Sequence, residues 1–345
     1  MATYSSLISG RMFHERDEIT VLENSVEVYR QPRGPRIKLQ KHIIISKDLC
    51  WAAGFFMAEG HATYSGIGIS NKEDELIFKF RSVIEKAFGV ERELWRVYIK
   101  TPREDFEEVR LRWREKFEHS KINIYHVPKA RDDIVEIRIN NVIFSRFFRS
   151  FLFRCIGILK KRREWITNFL DGYEVGDGSI IQSENILKRV SITVKESKMK
   201  KHIVQMFEIL YGIKPNVRKS KGCFEICLGG VHLMGELILD HHFKSSKKKW
   251  QKFISCYMKK QYPRSHMRYW RVIMDNTLSI ETIAKRSNRS HWSVRDAMAL
   301  DEKRGLVISH KKHIKDKKAP PFKFYSLSKK GKQLVTIVIQ AGIHG

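Results

Sequence analysis

Two short segments of this chain repeat one another, and the repeat limits what it can fold into. Ala53-Gly54-Phe55-Phe56-Met57-Ala58-Glu59-Gly60 and Asp171-Gly172-Tyr173-Glu174-Val175-Gly176-Asp177-Gly178 share a small-xxx-small pair, then an acid, then glycine. Gly54/Ala58 and Gly172/Gly176 are spaced i, i+4, which puts each pair on one face of a helix. Small residues on one face let two helix backbones approach closely. Each acid precedes a glycine of the kind that ends helices in the left-handed conformation. A carboxylate is disfavoured at a helix C-terminus, where the macrodipole is already negative. Two such carboxylates on helices built to touch call for a compensating charge, and divalent metal supplies one.

The duplication runs beyond the motifs. Ile69-Ser70-Asn71-Lys72-Glu73 aligns with Ile192-Thr193-Val194-Lys195-Glu196, without a gap, through Phe88-Gly89-Val90 and Tyr211-Gly212-Ile213. Later, Glu136 to Val142 aligns with Glu225 to Val231. Each copy reads as helix, strand, helix, strand, helix: a duplicated domain.

With a net charge of +28 and 42% hydrophobic residues, this is a folded basic chain whose excess charge points to a polyanion, nucleic acid ahead of a membrane surface. No apolar run approaches a membrane span, and the first ten residues lack a signal peptide's pattern. The five cysteines are odd in number and scattered, which suits a reducing interior. Cys223 and Cys227 have no second pair to complete a zinc site, so both read as strand residues.

Four regions separate. Residues 1–42 read as a charged extension ending in a basic arm, Arg30 to Arg36. The first repeat covers 43–163, with an insert at about 91–131 that carries a helix near Asp105 to Arg114. The second covers 164–262, and Pro263 to Ser265 link it to a last domain, 266–345.

The strands of both repeats carry polar side chains on one face: Arg138 in the first, and Lys188, Arg189, Ser191, Thr193 and Lys195 in the second. A two-stranded ribbon of this kind can enter the major groove of DNA; an ordinary solvated sheet face is the alternative. Lysine-rich clusters, Leu159 to Ile166 and Phe243 to Trp250, precede a tryptophan in both repeats, with Lys161, Lys247 and Lys248 as candidates to neutralise a cleaved phosphodiester. Taken singly, each cluster also reads as a phosphate-positioning patch.

These motifs, their following strands and the spacing of the acids (177 − 59 = 118) resemble a single-chain LAGLIDADG homing endonuclease over residues 43–262. The resemblance implies an α+β fold of two αββαββα halves packed through the motif helices. It also implies a monomer that cuts both strands of a long double-stranded DNA site with Mg2+ or another divalent metal. Glu59 and Asp177 would then be metal ligands and catalytic residues, with Lys161, Lys247 and Lys248 in the basic pocket. Family members often place a polar strand side chain toward the active site; Gly68 or Ile69 aligns there in the first half, and Ser191 or Ile192 in the second. Some relatives are non-cleaving transcription regulators with a helix-turn-helix, and some are maturases for intron RNA, so both alternatives stay open. The ends lack the residues protein splicing needs, so a free-standing protein is expected, cytoplasmic or organellar.

The last domain resembles a winged helix-turn-helix. Helices are expected at Tyr269 to Asp275, Ser279 to Ser287 with Ser279 as N-cap, and Ser290 to Arg304. A hairpin then follows, its strands at Leu306 to His310 and Phe322 to Leu327. In that family the third helix enters the major groove, which would give Arg289, Ser290, His291, Trp292, Ser293 and Arg295 to DNA. The tip lysines Lys311, Lys312, Lys315, Lys317 and Lys318 would touch phosphates.

Overall fold

The computed structural model describes residues 3–4, 17–30, 36–118, 122–262, 264–312 and 322–342. The chain opens with strands β1 (Thr3–Tyr4), β2 (Asp17–Val21), β3 (Ser25–Arg30), β4 (Ile37–Gln40) and β5 (Ile43–Ile44). β2, β3 and β4 form an antiparallel sheet within the segment read as a charged extension. The pattern is period-2: Val26, Val28, Ile37 and Leu39 are buried while polar and charged residues such as Glu27 and Lys38 alternate with them. The middle of the proposed basic arm, residues 31–35, lies outside the described residues.

The first half runs α1 (Lys47–Glu59), β6 (Gly60–Ala62), β7 (Ile67–Asn71), α2 (Asp74–Phe88), β8 (Trp95–Thr101), α3 (Phe106–Phe117), β9 (Ile122–His126), β10 (Ile134–Ile139) and α4 (Val142–Leu159). The second runs α5 (Arg163–Asp177), β11 (Gly178–Ser183), β12 (Ile186–Val194), α6 (Ser197–Tyr211), β13 (Asn216–Ser220), β14 (Cys223–Leu228) and α7 (Val231–Leu239). Without α3 and β9, both are αββαββα, so the fold is α+β and duplicated. The sheets agree strand for strand: β6-β7-β10-β8 with β9 added at the edge, and β11-β12-β14-β13. The five-element reading of each repeat missed a strand directly after each acid, and the expected insert was too long. β8 answers to β13 and belongs to the common fold; the addition is α3 with β9, which pairs parallel to β8.

The first half buries an aromatic core. Phe88 touches the rings of Phe144, Phe147, Phe148 and Phe151 with centroids 5.1–5.9 Å apart, nearly edge to face. The helical spacing of those four residues on α4 puts them on one side, and Asn141 caps that helix by accepting from the Phe144 N–H.

After α8 (Lys247–Gln261) the last domain contains α9 (Arg264–Ile273), β15 (Leu278–Ser279), α10 (Ile280–Ser287), α11 (His291–Lys303), β16 (Val307–Lys312), β17 (Phe322–Leu327) and α12 (Lys329–Gln340). Its sheet order is β15-β17-β16. The expected caps are present, with Ser279 accepting from Thr282 N–H and Ser290 from Ser293 N–H. α9 starts at Arg264, so Arg264 and Ser265 of the expected linker are helical, and Pro263 lies outside the described residues.

By compactness the chain divides in two. One unit holds Met1–Ser179, Ser191–Cys227 and His242–Ser246; the other holds Ile180–Val190, Leu228–His241 and Lys247–Gly345. In the second unit α12 packs on α7, where Lys330 Nζ bonds Glu236 Oε1 at 2.6 Å.

Candidate active site and nucleic-acid interface

The motif helices meet backbone to backbone. A Cβ built on Gly54 would lie 1.9 Å from Phe169 O and 3.0 Å from Tyr173 N. One built on Gly172 would lie 2.1 Å from Trp51 O and 2.9 Å from Phe55 N. Adding 118 to 51, 54 and 55 gives 169, 172 and 173, so the two sets of contacts exchange the same positions. That is the signature of a two-fold relation, here internal to one chain. The helices run parallel, because Lys47 and Glu164 pair at their N-terminal ends.

At the other end the acids come together. A Cβ on Gly176 would lie 2.6 Å from Ala58 Cβ and 2.8 Å from Glu59 Cγ. Positions 58 and 176 are equivalent, so each faces its counterpart across the pseudo-axis, with half-buried Glu59 and Asp177 beside it. Neither glycine after the acids is left-handed. Gly60 (φ −81) and Gly178 (φ −87) are extended, and each still donates its N–H to the helix, at Phe56 O and Glu174 O. Glycine is required for space, since a Cβ at either would approach that carbonyl to 2.4 Å. The chain thus passes straight from helix into strand with the acid at the junction.

Asn71, at the end of β7, donates from Nδ2 to Glu59 Oε1 at 3.2 Å. It fills the polar strand position that Gly68 or Ile69 was expected to occupy. Ile69 pairs with Gly60 beside the acid but is fully buried, and the side chain that reaches the carboxylate is two residues further on. The second-half equivalent is Val194, so the two acids have different surroundings. Beside Asp177, Tyr173 donates to Thr193 O at 3.4 Å. Its phenol is pushed well above the ordinary range, by burial first and then by the Asp177 charge. Among the described residues no three His, Cys, Asp or Glu gather as a metal cluster. Two carboxylates with an amide still suit magnesium, which binds through one or two carboxylates and keeps its other positions for water and phosphate.

Lys161 does not join the acids as expected. Lys161 is exposed and precedes the first residue of α5 by two, whereas Asp177 is the last of its 15 residues. At 1.5 Å per residue, roughly 20 Å separates them. Lys161 is therefore no candidate for the basic pocket. Its neighbour Lys160 bonds Gln205 Oε1 at 2.5 Å. Lys247 and Lys248 are exposed in the first turn of α8.

The segment just before those lysines has a different task. Ser245 gives Asp171 both its N–H (3.3 Å) and its hydroxyl (2.5 Å), and Ser246 Oγ donates to Glu73 at 2.8 Å. Lys79 bonds Ser245 Oγ at 2.9 Å and lies 3.9 Å above the Trp51 ring. His242 sits between Glu174 and the Tyr211 hydroxyl, at 2.8 Å from each. Residues 242–246 thus fasten α5 to α2 and α6 through buried polar side chains.

Burial pushes the Asp171 carboxyl up to about 6, against the opposing pull of the Ser245 bonds. A folded-state value above the unfolded one, about 4, means the proton stabilises the fold. That stability is complete below pH 4 and is lost as pH rises through 6. Asp171→Asn should therefore remove a fall on the order of 3 kcal/mol between pH 4 and 7. Urea denaturation of both chains across that range checks it; parallel profiles would overturn it.

The outer face of the first sheet holds Arg138, Arg96, Tyr98 and Lys100, all half-exposed. In the second half Lys188, Thr193 and Lys195 are exposed and Arg189 is half-buried. Ser191 is buried and gives its hydroxyl to Glu225 at 2.6 Å, so it braces the sheet and is withdrawn from any groove. Sequence alternation alone placed it with its exposed neighbours.

Arg289, Ser290, His291, Trp292, Ser293 and Arg295 are all exposed at the start of α11. Trp292 keeps 64% of its surface in solvent, with the Arg295 guanidinium 4.0 Å from its ring. Lys311 is exposed on β16, where Lys312 ends the strand. Lys315, Lys317 and Lys318 lie outside the described residues.

No family model matches this chain, and no curated protein matches it significantly. Among solved structures it is similar to full-length DUF199/WhiA from Thermatoga maritima, at 11% identity and TM-score 0.38, over 75% of this chain and 91% of that one. It is also similar to I-DmoI in complex with its target DNA and manganese, at 13% identity and TM-score 0.34, over 58% and 95%. A third is the LAGLIDADG meganuclease I-CpaMI bound to uncleaved DNA, at 13% and 0.35, over 63% and 92%. At those scores the likenesses carry nothing about residues or activity.

Proposed function

We propose that this chain is a site-specific, metal-dependent endonuclease for double-stranded DNA, of the LAGLIDADG homing type, acting as a monomer. The observation that carries the reading is the pair of carboxylates, Glu59 and Asp177, at the ends of two helices related by an internal two-fold. Duplex DNA has two strands related by the same kind of axis, so one acid falls to each strand. A magnesium ion held by these carboxylates would supply positive charge to the phosphate and a nucleophilic water. The residues themselves do three things. Close packing at Gly54, Gly172 and Gly176 holds the acids near the axis. Asn71 orients Glu59 from β7. The basic sheet faces and the winged helix supply phosphate and base contacts.

A second reading, a DNA-binding regulator without cleavage, gains support from the unequal surroundings of the acids, Asn71 against Val194. One experiment separates the two. The full chain is incubated with magnesium and a randomised duplex library, and the new ends are sequenced. Cleavage at a recurring sequence is expected; binding and enrichment without new ends would leave the regulator.

A further inference from the structure

The first-half sheet carries a carboxylate where a DNA-binding face should repel one. Glu136 is central on that face, opposite Ser70 on β7 and Tyr98 on β8, and keeps only 2% of its side chain exposed. Three bases converge on it. Lys100 Nζ lies 3.0 Å from Oε2, His61 Nε2 lies 3.4 Å from Oε1, and the Arg138 Nε bonds Oε1. Those bases keep 39%, 43% and 41% of their side chains exposed, so the acid forms a floor and the bases a rim. The Arg138 guanidinium also lies 4.8 Å from the Tyr98 ring, which stacks on Tyr125. Gly68 leaves room for this: a Cβ there would meet the His61 ring at 2.5 Å and the Arg138 stem at 2.9 Å. In the second half the aligned carboxylate, Glu225, is half-buried and takes the Ser191 hydroxyl.

An unanchored arginine samples many rotamers and binds any phosphate it reaches. One held by a buried carboxylate and a ring presents a fixed fork, which bidentate recognition of a base edge demands. We propose that Glu136 is a positioning residue that aims Arg138, with Lys100 and His61 beside it, as a base-reading cluster for duplex DNA. The inference rests on the DNA-binding reading above and assigns sequence discrimination to a residue that touches no DNA.

The test selects bound DNA from a random-sequence duplex library, without added divalent metal, using the full chain, Glu136→Gln, Arg138→Met and the double variant. Glu136→Gln should lose base preference over a short contiguous run of the selected sequence and bind that sequence roughly tenfold more weakly. Its affinity for random-sequence duplex should stay level or rise, because a negative charge is gone. Arg138→Met should lose preference at the same positions, with the double variant no worse than Arg138→Met alone. A uniform loss on all sequences, additive losses, or an unchanged preference would each overturn the proposal. If Glu136→Gln fails to fold, Tyr98→Leu removes the ring and leaves the ion pair. It must blur the Arg138 positions, or the proposal fails. A wild-type chain that selects no sequence overturns the DNA reading itself, and this inference with it.

Discussion

Replacing either motif acid by its amide should abolish double-strand cutting and leave DNA binding intact. Glu59→Gln and Asp177→Asn keep the size of the side chain and its place against Gly176, so the helix contact survives. What goes is the full negative charge that a divalent cation needs, at a helix end where the backbone dipole supplies only a partial one. Losing one preorganised electrostatic group typically costs 10²–10³ in rate, and each strand's cut depends on one of these two. Affinity should hold or improve, because a carboxylate near a phosphodiester repels it. Single-turnover digestion of the selected site, beside a binding titration without metal, reads both effects. Parental-rate cutting of both strands by either variant would refute the two-acid assignment.

Substitution at the helix crossing should be as damaging to the fold as the amides are to cleavage. Gly54→Ala places a methyl where Phe169 O stands 1.9 Å away, and Gly172→Ala does the same against Trp51 O at 2.1 Å. Both obstacles are backbone, which cannot rotate aside, so the helices must part. Overpacking usually costs 1–3 kcal/mol; a loss of about 3–5 kcal/mol, at the upper end for single changes, is expected here. The two losses should match within about 1 kcal/mol, since the pseudo-two-fold makes the sites equivalent. Gly157→Ala is the control. It lies in α4 with nothing within 4 Å of its Cβ, and there alanine should stabilise by roughly 0.5–1 kcal/mol through helix propensity. Denaturant midpoints for the three variants decide it. Unequal losses at 54 and 172 would mean that the repeat is one of sequence without a matching symmetry in space.

The duplication, the motif helices, the two acids and the capped helices of the last domain were legible because each is a local pattern. Periodicity, a small-residue spacing or a capping serine says the same thing wherever the chain goes. The amino-terminal sheet was legible too, in the alternation of Val26, Val28, Ile37 and Leu39, but the segment's mixed, charged composition drew the reading toward an extension. Composition describes a segment's surface, whereas alternation describes its core.

The assignments that failed depended on where a side chain lies in space. Lys161 looked equivalent to Lys247 and Lys248 because each cluster precedes a tryptophan, and only helix length shows it at the wrong end of α5. Asn71, Ser245, Ser246 and His242 carry no motif. They matter because α1, α2, α5 and α6 converge, which brings 71 to 59, 245 to 171 and 242 to 174. Sequence by itself determined that two like halves meet through glycine-bearing helices and end in acids, because close helix contact permits few residues. Tertiary structure alone decided which polar side chains serve those acids. Polar partners are chosen by reach across a few ångströms, and many residues could satisfy a buried carboxylate once the fold has brought them near.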